Sequence, residues 1–227
     1  MKNCVIFDIH KPLEYNENDC IFVKTDWIVS FFQRNLTKPY ILVTGDSDYS
    51  PSTFFSDSEL FSILEKPECI EWRSQNVCFS HPKMKHLPIG FENDPVKLEF
   101  YEKHKERLIS IPKQNLVYKN FTIQNNPLER SCFYSSHSTI PFEDYMYEMA
   151  SYKYVLCPMG NGIDTHRFWE AQLCGCIPII RCPKEFLPTY EGYKYICIPG
   201  KCYARLGHPN VVREFESVFV QNGLNLF

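Results

Sequence analysis

Residues 154–180 read YVLCPMGNGIDTHRFWEAQLCGCIPII, and this stretch restricts the fold more tightly than any other. Tyr154-Val155-Leu156-Cys157 is a short apolar run suited to a buried strand, and Pro158, which has no N–H, stops its ladder. Gly160-Asn161-Gly162 is a tight loop whose two glycines are free to take positive φ. Asp164 or Thr165 is placed to cap the helix that follows. Gly175 stands where that helix ends, and Ile177-Pro178-Ile179-Ile180 opens the next strand. The pattern is a βαβ unit whose loop aims backbone N–H groups at the mouth of a helix, a geometry that binds phosphate. His166, Arg167 and Glu170 fall in the first two turns, and helical spacing puts Glu170 on the same face as the other two.

The rest of the chain repeats the alternation. Apolar runs predict strands over 4–9, 20–23, 40–43, 70–77, 85–89, 116–121 and 195–198. Helical periodicity predicts helices over 27–35, 58–65, 96–108, 142–151 and 210–221. Thr25 or Asp26 would cap the first helix, with Trp27, Ile28, Phe31 and Phe32 in the core. Asn126 before Pro127 reads as a cap followed by a first turn. The periodicity lapses over 110–114, which sets a boundary between domains 1–112 and 113–227. Strands alternating with helices on both sides predict an α/β protein with two Rossmann-like domains and parallel sheets. Ligands bind such sheets at the carboxyl ends of strands, so the loops at 45–48 and 160–162 are expected to face a shared cleft.

Composition narrows the partners. A net charge of −3 with basic residues spread along the chain argues against nucleic acid or an acidic membrane surface. No apolar run approaches the length of a membrane span, and the first residues lack the pattern of a signal peptide, so a cytoplasmic protein is expected. The 11 cysteines lie mostly inside apolar strands, Cys4, Cys157, Cys176 and Cys197 among them, without a CxxC pair. They read as buried thiols in a reducing compartment, the alternative being a disulfide or zinc framework.

Several side chains offer chemistry. Arg167 can donate two parallel hydrogen bonds to a diphosphate, and Glu170 can accept from the vicinal hydroxyls of a ribose or pair with Arg167. His166 starts the helix, where its ring N–H could reach a phosphate oxygen. Arg130 either supplies a second cation to a departing diphosphate or pairs with Glu129. Asp46-Ser47-Asp48 follows an apolar strand. It can serve as turn chemistry, as a general base or acceptor contact, or as a pair of carboxylates sharing one hard cation.

Cys157-Pro158, Gly160, Arg167, Glu170-Ala171 and Gly175-Cys176-Ile177-Pro178 match, in order, the donor-binding segment of exostosin-like glycosyltransferases, a GT-B-type group. The chain resembles that family closely over this segment. It does so more loosely at 38–49, at 72–93 with Gln75-Asn76 and Leu87-Pro88-Ile89-Gly90, and at 121–130. The resemblance implies a short GT-B-like enzyme that moves a sugar from a UDP- or GDP-linked donor to a hydroxyl of a glycan or glycoprotein acceptor. It implies Glu170 on the ribose and Arg167 on the diphosphate. The donor site would comprise Gly160, Asn161, Gly162, Asp164, His166, Arg167, Glu170 and Arg130, with Asp46 or Asp48 as the catalytic base and no obligatory cofactor or metal. Two other classes stay open. One is a metal-dependent GT-A transferase using Asp46 and Asp48 with Mn or Mg; the other is a non-catalytic nucleotide- or glycan-binding module.

Overall fold

The computed structural model describes residues 4–131, 133 and 138–198. Among these the protein is α/β, with two all-parallel sheets of five and four strands, an arrangement consistent with Rossmann-like folds. The predicted helix at 210–221 lies outside the described residues.

The first sheet runs β1 (Cys4–Ile6), β2 (Asp19–Lys24), β3 (Tyr40–Gly45), β4 (Cys69–Ser74) and β5 (Met84–His86), in that order across the sheet. Between β2 and β3 a 3₁₀ turn (Thr25–Trp27) leads into α1 (Ile28–Phe32), and α2 (Asp57–Leu64) separates β3 from β4. Ser56 and Glu59 form a reciprocal capping box that starts α2. Thr25 and Asp26 do not cap by side chain as expected; the Thr25 hydroxyl turns inward and donates to the Gly45 carbonyl at 3.4 Å. Ile28 and Phe31 are buried as predicted, whereas Trp27 sits on the 3₁₀ turn and is 38% exposed. Trp72, Phe31 and Tyr40 centre the core of this sheet. Cys4 and Cys20 face each other in register on neighbouring parallel strands, Cα atoms 4.7 Å apart, and are joined as a disulfide. Cys4 is therefore not the thiol the apolar pattern suggested.

The second sheet runs β6 (Asn115–Tyr118), β7 (Tyr152–Cys157), β8 (Ile177–Ile180) and β9 (Ile196–Cys197). Pro178 is tolerated in β8 because β9 pairs only with Ile179 and Ile180, so at Pro178 that side of the strand asks for no N–H. α3 (Pro95–Ser110), α4 (Pro127–Arg130), α5 (Phe142–Ala150) and α6 (His166–Leu173) surround this sheet in sequence. α6 ends in a full Schellman motif: Gly175 has φ +68°, its N–H meets the Gln172 carbonyl, and the Cys176 N–H meets Ala171. Lys113 donates to the carbonyls of Ala150 and Cys174, both at 2.6 Å, and so ties together the C-terminal ends of α5 and α6.

Contacts divide the chain into Met1–Ile89 with Lys184–Glu191, and Gly90–Pro183 with Gly192–Phe227. The division falls before α3, not at 112–113. Periodicity shows that α3 is amphipathic but not which sheet it covers. Its Tyr101 hydrogen-bonds Glu170 and its Phe100 packs on Phe142, so α3 belongs with the second sheet. In both sheets the spatial order follows the chain order, so no strand-order reversal marks a ligand crevice among the described strands.

Candidate anion site of the second unit

The residues singled out at 154–180 form the βαβ unit expected, β7–α6–β8, but the loop between works differently. Positive φ is taken by Gly90, Gly175 and Gly192, not by Gly160 or Gly162. Gly160 is instead required by close approach: a Cβ there would stand 3.2 Å from the Nη2 atom of Arg130. Its own N–H is bonded to the Gly162 carbonyl at 3.0 Å, and its carbonyl accepts from the Asn126 side chain at 2.9 Å. Asn161 is exposed at the loop.

Neither predicted cap donates a side chain to the helix. Thr165 occupies the N-cap position without a side-chain bond. Asp164 is buried and accepts from the Trp169 indole N–H at 3.1 Å. The His166 ring is held through Nδ1 to the Gly90 carbonyl at 2.8 Å. A carbonyl can only accept, so Nδ1 carries a proton.

Asn126 accepts from the Glu129 N–H at 3.2 Å, and Pro127 follows at the first helical position, as the sequence predicts. This short helix delivers Glu129 and Arg130 into the interior, 2% and 7% exposed. Arg130 donates through Nε to the Met159 carbonyl at 2.9 Å and through Nη1 to Thr122 at 2.6 Å. Burial and the neighbouring Arg167 cation push its guanidinium down to about 10, partly offset by Glu129, so it remains charged near neutrality. Glu129 lies 3.6 Å from Arg181, a second buried cation just past β8. Burial raises the Glu129 carboxyl, and Arg181 and Arg130 oppose that shift. Arg130 is thus neither the surface ion pair nor a freely extended donor that the sequence allowed.

Burial disfavours the charge of Arg167, but Tyr145, Cys157 and Glu170 more than offset this, so its guanidinium is raised above the ordinary value. Its guanidinium lies 5.8 Å from the centre of the Phe121 ring and 5.4 Å from that of Tyr145. Arg130 stands 5.6 Å from the same Phe121 ring. The Nη1 atom of Arg167 is buried and has no hydrogen-bond partner among the described residues. Arg167 also lines a cavity of about 260 Å³ with Phe121, Thr122, Ile140, Phe142 and Tyr145. Two like cations converge here on one aromatic ring, and one keeps a buried donor to spare. An anion with oxygen acceptors would relieve both conditions.

Glu170 has hydrogen-bond partners within the protein. Its carboxylate is buried, and its two oxygens accept from Tyr101 Oη at 2.9 Å and Tyr145 Oη at 2.8 Å. Neither tyrosine stood out in the sequence, because each joins the site from a separate helix.

Asp46 and Asp48 belong to the first unit and are exposed. Asp46 has φ 52°, a left-handed conformation that aspartate tolerates, and its N–H donates to Gln75 Oε1 at 3.0 Å. Gly45 makes room for that contact, since a Cβ there would meet Gln75 Oε1 at 2.9 Å. The buried Asn76 side chain holds the carbonyls of Ser47 and Asp48 at 3.3 Å each. The turn is therefore shaped by Gln75-Asn76, a pair noticed in the sequence without a role. Among the described residues no cluster of three or more His, Cys, Asp or Glu side chains could hold a metal ion. No helix among them is long and apolar enough to cross a membrane.

The fold and the site together define a class: a two-unit, parallel-sheet α/β protein with a cationic, aromatic-walled site at the loop and helix that follow β7. No protein-family profile and no curated protein matches the chain.

Proposed function

We propose that this protein is a glycosyltransferase that takes a sugar from a UDP- or GDP-linked donor and attaches it to a hydroxyl of a glycan acceptor. One observation carries the reading: the buried Nη1 donor of Arg167, left over beside Arg130 at the edge of an aromatic cavity. A buried N–H group without an acceptor is costly in the unliganded protein, and a diphosphate oxygen supplies one. In the transfer, the acceptor oxygen forms a bond to the anomeric carbon as the bond to the diphosphate breaks, and the diphosphate leaves with the electron pair. Arg167, the field of Arg130 and the N-terminal dipole of α6 stabilise that leaving charge. An inverting transfer also needs a carboxylate to take the acceptor's proton, and Asp46 and Asp48 are the candidates. Glu170 acts in this reading through Tyr145, which it holds against Arg167.

Arg167→Met tests the reading. Arg167→Met removes the cation that Tyr145 and the buried Glu170 favour, so stability should fall by up to about 3–5 kcal/mol, and binding is measured on variant protein shown to be folded by circular dichroism. The same change should weaken UDP and GDP binding, measured by calorimetry, at least about tenfold, because charge-assisted hydrogen bonds to phosphate are lost. Uridine affinity should not change. A folded variant that binds UDP as the parent does would overturn the assignment. Nucleotide binding without donor hydrolysis or transfer would reduce the protein to a binding module. Activity lost to EDTA and restored by manganese would move the chemistry to Asp46 and Asp48.

A further inference from the structure

The loop after β7 is fastened to α4 at two successive carbonyls. Met159 offers its carbonyl to Arg130 Nε at 2.9 Å, and Gly160 offers its own to Asn126 Nδ2 at 2.9 Å. Asn126 is the N-cap of α4 and Arg130 its last residue, so the two donors stand one helical turn apart. Asn126 also serves its own helix. Its Oδ1 takes the Glu129 N–H at 3.2 Å, and its backbone carbonyl takes the Arg130 N–H at 2.8 Å. One amide thus holds the loop with its nitrogen and starts the helix with its oxygen.

This fastening decides what Arg130 has left to give. Its Nε and Nη1 are spent on the Met159 and Thr122 carbonyls, whereas Nη2 has no hydrogen-bond acceptor among the described residues. That Nη2 lies against Gly160, 3.2 Å from where a Cβ would stand. The same loop runs on into α6, which carries Arg167. The place of Arg130 Nη2 relative to Arg167 is therefore set through the loop. A single bond at Met159 would leave the loop hinged on Arg130, and the second bond, from Asn126 to the next carbonyl, removes that hinge.

We propose that Asn126 is a positioning residue: it fixes the loop on α4, sets Arg130 against Arg167, and so makes the site select a diphosphate over a monophosphate. The inference rests on the nucleotide-sugar reading above and adds a division of labour between the two cations. Arg167 engages one phosphate through its spare Nη1, and Arg130 engages the other through Nη2. Both guanidiniums already stand over the same Phe121 ring, at 5.8 and 5.6 Å. A monophosphate satisfies Arg167 and leaves Arg130 without a second phosphate to hold. The additional charge-assisted hydrogen bond should favour the diphosphate about tenfold or more.

The test is calorimetric titration of UDP, UMP and uridine into the full chain and into its Asn126→Ser variant. Serine keeps an oxygen for the Glu129 N–H and caps a helix as well as asparagine does, but it has no amide to reach Gly160. The parent should bind UDP about tenfold or more tighter than UMP. In Asn126→Ser the preference should shrink to about twofold, because UDP affinity falls while UMP and uridine affinities stay near the parent's. A double-mutant cycle checks the route: added to Arg130→Gln, Asn126→Ser should weaken UDP no further. Should Arg130→Gln fail to fold, hydrogen exchange of Asn126→Ser stands in for the cycle, with faster exchange over 158–163 and parental rates in the first unit. A folded Asn126→Ser that keeps the preference for UDP, equal losses for UDP, UMP and uridine, or unchanged exchange over 158–163 would each overturn the proposal. A parent that binds UDP no better than uridine overturns the functional reading and this inference with it. A parent that binds UDP, loses it in Arg167→Met and keeps it in Asn126→Ser overturns this inference only.

Discussion

Replacing Glu170 separates two kinds of work that one carboxylate can do. In this structure it works on the protein. Tyr101 comes from α3, Tyr145 from α5 and Glu170 from α6, so two hydrogen bonds of 2.9 and 2.8 Å join three helices through one buried group. Glu170→Ala removes both. A hydrogen bond to a charged group contributes about 1.5–3 kcal/mol net, and the buried Tyr101 hydroxyl would be left without its acceptor. Tyr145 is only partly buried, and water can recover some of its share. The combined loss comes to about 3–5 kcal/mol, a large part of the 5–15 kcal/mol that holds a typical domain together.

Glu170→Gln is the control. Its carbonyl oxygen keeps one phenol, and its amide N–H can donate to the oxygen of the other, so the bonds survive in number and only the charge is lost. About 1 kcal/mol should go. Urea denaturation at pH 7, followed by both far-UV circular dichroism and tryptophan fluorescence, measures the two differences at constant m-value. The reasoning is refuted if Glu170→Ala stays within about 1 kcal/mol of the parent while UDP or GDP affinity collapses. That outcome would mean the carboxylate acts on a ribose, as the family resemblance implies, and not on the helices.

Gly160→Ala sets a Cβ 3.2 Å from Arg130 Nη2, and Arg130 is held by the Met159 and Thr122 carbonyls. The melting temperature should drop by an amount equivalent to about 1–2 kcal/mol, with weaker UDP binding. An unchanged melt and affinity would show that Arg130 moves freely. A separate test concerns alkaline pH. The hydroxyls of Tyr40, Tyr101, Tyr118 and Tyr145 are all pushed above their ordinary value, burial being the first cause in each. In the unfolded chain they ionise near 10, so their contribution is complete below that pH and is lost as pH rises toward the folded values. Stability should fall above pH 10 by up to about 1.4 kcal/mol per pH unit for each such tyrosine. Phenolate absorbance that titrates near 10 at all four positions in the folded protein would contradict this.

The sequence was most legible where one short segment contains its own reasons. β7, α6 and β8 were readable because an apolar run, a proline, a glycine loop and a terminal glycine all lie within 154–180. Asn126-Pro127 announced α4 for the same reason. The readings that failed depended on distant partners. Thr25 looked like a cap, but the Gly45 carbonyl, 20 residues on, takes its hydroxyl. Gly160 looked like a residue chosen for positive φ, but what it accommodates is Arg130, a side chain from another element. Cys4 looked like a thiol in an apolar strand, and only the parallel register brings Cys20 beside it.

The candidate site follows the same rule, which bears on how its residues divide their labour. Helical spacing put Glu170 on the same face of α6 as Arg167, and both reach Tyr145. Spacing within a helix cannot say which group stays unsatisfied, because satisfaction depends on what other elements bring. Here Tyr101, 69 residues before Glu170, and Tyr145, 25 before it, satisfy the carboxylate. No described residue does the same for Nη1 of Arg167. Of two charges one turn apart, the anion is used internally and the cation keeps a donor. An added ligand that completes this cluster must therefore bring acceptors. A negatively charged group such as a diphosphate meets that requirement, and a second cation would worsen the imbalance.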